Sequence, residues 1–87
     1  MNIDYENLER DVAEGRFLES LEEELTMGFR QMQMAGERLP LASYYATQIA
    51  EIVNRGAELS AELKYEVYQD ILLACERARA TVLGEKQ

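Results

Sequence analysis

The stretch Leu18-Glu19-Ser20-Leu21-Glu22-Glu23-Glu24-Leu25-Thr26-Met27-Gly28-Phe29-Arg30-Gln31-Met32-Gln33-Met34-Ala35-Gly36 decides the fold. Leu18, Leu21, Leu25, Phe29 and Met32 recur at steps of three and four, the spacing of one face of an α-helix. No segment of the chain shows the strict apolar/polar alternation of a half-buried strand. Gly36 is a natural end for this helix, because glycine accepts the positive φ of a C-terminal cap. The predicted span is 17–36.

Upstream, Asp4 is placed to cap a first helix over about 4–14, with Tyr5, Leu8 and Val12 on one side. Gly15 interrupts it. At about 100° per residue, a continuous helix would set Leu8 and Val12 out of phase with the stripe that begins at Leu18. The phase change favours a kink or turn at Gly15, and one long bent helix is the alternative. Downstream, Pro40 suits the first turn of a helix over 40–55, where its missing N–H loses no partner. Leu41, Ala42, Tyr45, Ala46, Ile49, Ile52 and Val53 read as its core face, and Gly56 as its stop. Ser60 caps a last helix over 60–83, with Leu63, Val67, Ile71, Ala74, Cys75, Ala78 and Val82 inward. Short connections make neighbouring helices antiparallel. The expected fold is all-α: an antiparallel three-helix bundle with an additional short N-terminal helix, forming a single domain over 1–87.

Composition narrows the chemistry. The 87 residues contain no histidine and one cysteine, and carry 17 acidic against 9 basic side chains, for a net charge of −8. Without imidazole there is no general base of the usual kind and no Glu-x-x-His metal site. No glycine-rich phosphate loop occurs. Glu19 with Glu23, and Glu62 with Glu66, share helix faces as i, i+4 pairs, but solvated carboxylates lack the burial that tunes a catalytic acid. Cys75 falls in a core row and reads as a small buried hydrophobe. Catalysis, a cofactor and a metal are therefore not expected. One cysteine permits no disulfide, which fits a cytoplasmic chain. No apolar run approaches the roughly 20 residues of a membrane span.

Three features exceed the needs of a bundle. Met27 and Met34 share a face nearly opposite Leu25 and Phe29, with Arg30 beside them. Either the first helix folds back over these methionines or they form an adaptable binding surface. Tyr65, Tyr68, Leu72 and Leu83 widen the apolar face of the last helix, and Leu73 lies on a third side. Such a helix is either central in its own bundle or part of a seam with another chain, including a second copy. Lastly, Asp4, Glu6, Glu9, Asp11, Glu14, Glu19, Glu22, Glu23 and Glu24 face only Arg10 and Arg16 within one N-terminal stretch. This stretch is either a solvated face or a lure for a basic partner. Tyr44, outside the core face of its helix, is a further contact candidate.

The expected function is that of a small acidic protein-binding module acting stoichiometrically: an inhibitor, an immunity or antitoxin-like protein, or a phage-type modulator. The alternatives are a secretion or assembly chaperone covering a partner's apolar helix, and a nucleic-acid mimic blocking a basic groove. The expected partner is a protein with a basic or apolar surface, or a second copy of the chain. Direct nucleic-acid or membrane binding is not expected from so acidic a surface. The expected contact residues are Glu19, Glu22, Glu23, Glu24, Met27, Arg30, Met34, Tyr44, Tyr65, Leu72 and Leu73.

Overall fold

The computed structural model describes residues 3–85, and every regular element among them is helical. Asp4 does cap the start: its carboxylate accepts from the Asn7 backbone and, at 2.8 Å, from the Asn7 side-chain amide. That hydrogen bond holds the Asp4 carboxyl below its ordinary value. The first helix is not one continuous span, however. A 3-10 turn over Tyr5–Asn7 leads into a short α1, Leu8–Ala13. Gly15 then takes φ 80°, so the chain breaks there rather than bending.

Helix α2 covers Arg16–Met34, with Leu21, Leu25 and Phe29 buried. It closes at Gly36, also at φ 80°. The Glu37 N–H donates to the Met32 carbonyl and the Gly36 N–H to the Gln33 carbonyl, the reciprocal bonds of a Schellman cap. The link to the next helix is pinned: Leu39 is buried, and Arg79 Nε donates to the Pro40 carbonyl at 3.0 Å.

Helix α3 spans Ala42–Gly56. It begins later than its sequence suggests, because Leu41 is the extended N-cap residue and Pro40 stays in the link. Two residues assigned to its core face lie outside it. Leu41 is 66% exposed and Ile52 is 55% exposed, while Ala46, Ile49 and Val53 are buried. Gly56 belongs to the last turn, and its lack of a Cβ has a specific use. The Tyr5 ring occupies the space a side chain there would take.

Helix α4 spans Ala61–Gly84, and the Leu63 N–H donates to Ser60 Oγ at 3.1 Å. It is the central element. Val67, Ile71, Ala74, Cys75, Ala78 and Val82 are buried along it, and α2 and α3 both pack on it. The alanines and Cys75 let both neighbours approach closely. Arg77 with Glu22 and Arg30 with Glu85 pair α2 and α4 in parallel register. Helices α2 and α3 meet each other only sparingly, with Phe29 and Tyr45 edge-on at a ring separation of 5.4 Å.

Leu72, and Tyr68 beside it, are half-buried against this core, and Leu73 is half-buried too. The last helix is therefore wide because it is central, and a monomer can cover Leu73 further than its position suggested. The N-terminal segment does not fold over Met27 and Met34. Its Leu8 enters the core, and the recess it forms with α2 is lined by Phe17, Ser20, Leu21 and Glu24.

Gly56→Ala is expected to drive the Tyr5 ring off α3 and lower stability by about 1–3 kcal/mol, the usual cost of overpacking. In a Tyr5→Ala background the same change is expected to be neutral or stabilising, since alanine is the better helix former. Thermal melts of the four proteins in this double-mutant cycle check the sign reversal.

Candidate protein-binding surface

The outer side of α2 carries a continuous strip of Glu19, Glu22, Glu23, Thr26, Met27 and Arg30. The strip arises because α2 turns Leu21, Leu25 and Phe29 toward α4, which sends residues about half a turn away into solvent. Met27 is 60% exposed and Met34, one heptad on, is 80% exposed. Most apolar side chains at such positions would be covered, so two projecting thioethers on one face form a surface suited to adaptable contacts.

The charges on this strip are not equivalent. Glu22 is half-buried and pairs with Arg77 at 3.6 Å. Arg30 is held by both oxygens of Glu85, at 2.9 and 2.7 Å. That contact pushes the guanidinium up from its ordinary value and holds the Glu85 carboxyl down. Arg16 is engaged by Asp11 and Glu14. Glu19, Glu23 and Glu24 are exposed, and among the described residues no cation lies within ion-pairing distance of them. The negative field of α2 is therefore left for solvent or a partner, while Glu22 and Arg30 hold α2 onto α4.

The sequence-predicted contact residues thus fall in several places. Glu19, Glu23 and Met27, with Glu22 and Arg30, form the strip. Met34 extends it past Arg30 and Gln33 toward Glu85. Glu24 and Met27 also border a groove in which Leu25, Gly28, Phe29 and Met32 of α2 face Tyr45 of α3. Tyr44 and Tyr65 are exposed, on α3 and α4, and the strip includes neither. Leu72 and Leu73 are half-buried and are not an open apolar seam.

Leu41 and Ile52 are exposed apolar residues that sequence reasoning assigned to the core. The signal was the width of the α3 stripe. Ile52 and Val53 are adjacent, so they lie about 100° apart and cannot both point at one neighbouring helix. Gly28 was likewise passed over. It sits inside α2, and apart from that helix's own backbone no atom of the described residues lies within 4 Å of where its Cβ would be.

Cys75 is buried and free, and burial, with Glu76 nearby, pushes its thiol up to about 11. It remains a protonated packing group at neutral pH. Among the described residues no cluster of His, Cys, Asp or Glu is arranged to hold a metal ion, and no helix is long and apolar enough to cross a membrane. No protein-family model, curated protein or solved structure matches the chain.

Asp70 is the one enclosed polar group without a partner among the described residues: its Oδ2 makes no hydrogen bond. Burial raises its titration, and repulsion from Glu66, one turn earlier, raises it further. The folded state thus binds this proton more tightly than the unfolded chain. The group's favourable contribution is complete at low pH and is lost as pH rises through the raised value. Asp70→Asn is therefore expected to raise the melting temperature at pH 7. The gain should shrink as pH falls toward the ordinary carboxyl value of 3.8, in paired melts of the two proteins.

Proposed function

We propose that the chain is a protein-binding module that acts stoichiometrically, as an inhibitor or modulator of a partner protein, through the outer strip of α2. One observation carries this reading: among the described residues Glu19 and Glu23 stand without cations beside the projecting Met27 and Met34. Unpaired carboxylates repel each other and gain from a basic partner, which also speeds encounter. Methionines beside them supply apolar contact that does not depend on one fixed shape. The absence of histidine from the sequence weighs against a catalytic alternative.

A chaperone mode uses the same residues with the weights reversed, and exposure of Met34 is the observation that favours it. There the thioethers would carry the affinity by covering an apolar segment, and the acids would contribute little.

Affinity capture from native lysate, repeated with two surface variants, separates the two. Glu19→Lys with Glu23→Lys is expected to weaken capture of the partner about tenfold or more, with the loss largest at low salt. Met27→Ala with Met34→Ala should weaken it by a smaller factor. The opposite ranking favours the chaperone mode. Capture of no protein by the wild-type chain, or capture unchanged in both variants, overturns the assignment to this strip.

A further inference from the structure

The interval between α2 and α3 is filled at one end and open at the other. At the filled end Tyr5 lies on Gly56, Leu8 enters the core, and α1 packs beside Phe17 and Leu21. Glu24 closes that recess and also begins the open stretch, where Gly28 and Met32 face Tyr45. On α3, Ile52 follows Tyr45 by about two turns, and Gly56 follows Tyr45 by about three, so all share one flank at about 100° per residue. The track occupied by Tyr5 therefore continues past exposed Ile52 to Tyr45 and on toward Leu41. A short helical segment of the chain itself already fills one end of this track.

Two independent features indicate what fits the rest. Gly28 lies mid-helix, where glycine is a poor helix former, and none of the described residues occupies the space its side chain would take. The notch admits close approach by another backbone. The α2 wall is acidic: Glu24 borders the groove and pairs with no cation among the described residues. With a net charge of −8, a second copy would meet repulsion there, whereas a basic segment would be drawn in.

We propose that the open half of the α2/α3 groove receives a basic amphipathic helix of the partner protein. Its aliphatic side chains lie against Gly28, Met32, Tyr45 and Ile52, and a lysine or arginine on it reaches Glu24. This is helix-in-groove recognition, with anchors at helical spacing over about three turns. It rests on the protein-binding reading above and adds the chemistry and location of the contact.

The probe is a fluorescein-labelled helical peptide of about 16 residues, with leucine and isoleucine at i, i+3, i+4 and i+7 and lysine elsewhere. Controls are a glutamate-for-lysine analogue and a scrambled peptide of the same composition. By fluorescence anisotropy with the full chain, the basic amphipathic peptide is expected to bind about tenfold or more tightly than either control. Gly28→Leu and Ile52→Asp should each weaken it about tenfold, while Gln69→Ala, exposed on α4 away from both strip and groove, leaves it unchanged. Circular dichroism melts at or above the wild-type temperature for Gly28→Leu would show that its loss of binding is not loss of fold. Equal binding of the acidic or scrambled peptide, indifference to Gly28→Leu, or no binding at all overturns the groove assignment. So does a concentration-dependent dimer in light scattering that Ile52→Asp dissociates, which would make the occupant a second copy. If the peptide fails while the outer strip still captures a protein, the groove assignment falls and the protein-binding reading stands. If capture fails as well, both fall.

Discussion

The burial of α4 between two partners is the constraint on which the rest of this structure depends. A chain of this size has one small core, and here a single helix supplies its centre. Val67, Ile71 and Val82 provide bulk, and Ala74, Cys75 and Ala78 provide closeness, all fully buried. Because α2 and α3 both spend their apolar faces on α4, neither has a full face left for the other. Phe29 and Tyr45 bridge them edge to face, and the two helices otherwise meet sparingly. The groove between them follows from this geometry, as does the need for Leu8 and Tyr5 to plug one end of it.

The same arrangement accounts for the charge distribution. Arg77 and Arg30 are drawn to Glu22 and Glu85 along the α2/α4 seam. Arg16 is consumed at the α1/α2 junction by Asp11 and Glu14. Among the described residues, the acids on the far side of α2 keep no cation. Exposed ion pairs are each worth little to stability, so these contacts matter more for where negative charge remains than for the free energy they add. What remains, at Glu19, Glu23 and Glu24, lies beside Met27 and the mouth of the groove.

Much of the fold was legible because the punctuation was unambiguous. Gly15 and Gly36 take positive φ where a break and a cap were expected, and Ser60 accepts from the fourth helix as its position predicts. The wide apolar face of α4 correctly marked a helix with neighbours on two sides. The misreadings share one physical origin: helical periodicity gives the angle of a side chain but not the direction of the neighbour. Leu41 and Ile52 are apolar and lie about 100° or more round the helix from Val53, and α4 lies on the Val53 side. For the same reason the sequence did not tell which side of α2 the N-terminal segment covers. It covers Phe17 and Leu21 and leaves Met27 and Met34 in solvent. The exposed methionines and acids were legible as candidates, whereas the groove was not, since it arises from how sparingly two helices meet.

The open groove between α2 and α3 is the central physical claim, and carbene footprinting of the free chain at low micromolar concentration tests it most directly. Leu41 and Ile52 should label heavily while Ile49 and Val53, their neighbours on the same helix, stay protected. Protection of Leu41 and Ile52 equal to that of Ile49 and Val53 would mean that the groove is closed, by α2 or by another chain, and would contradict it.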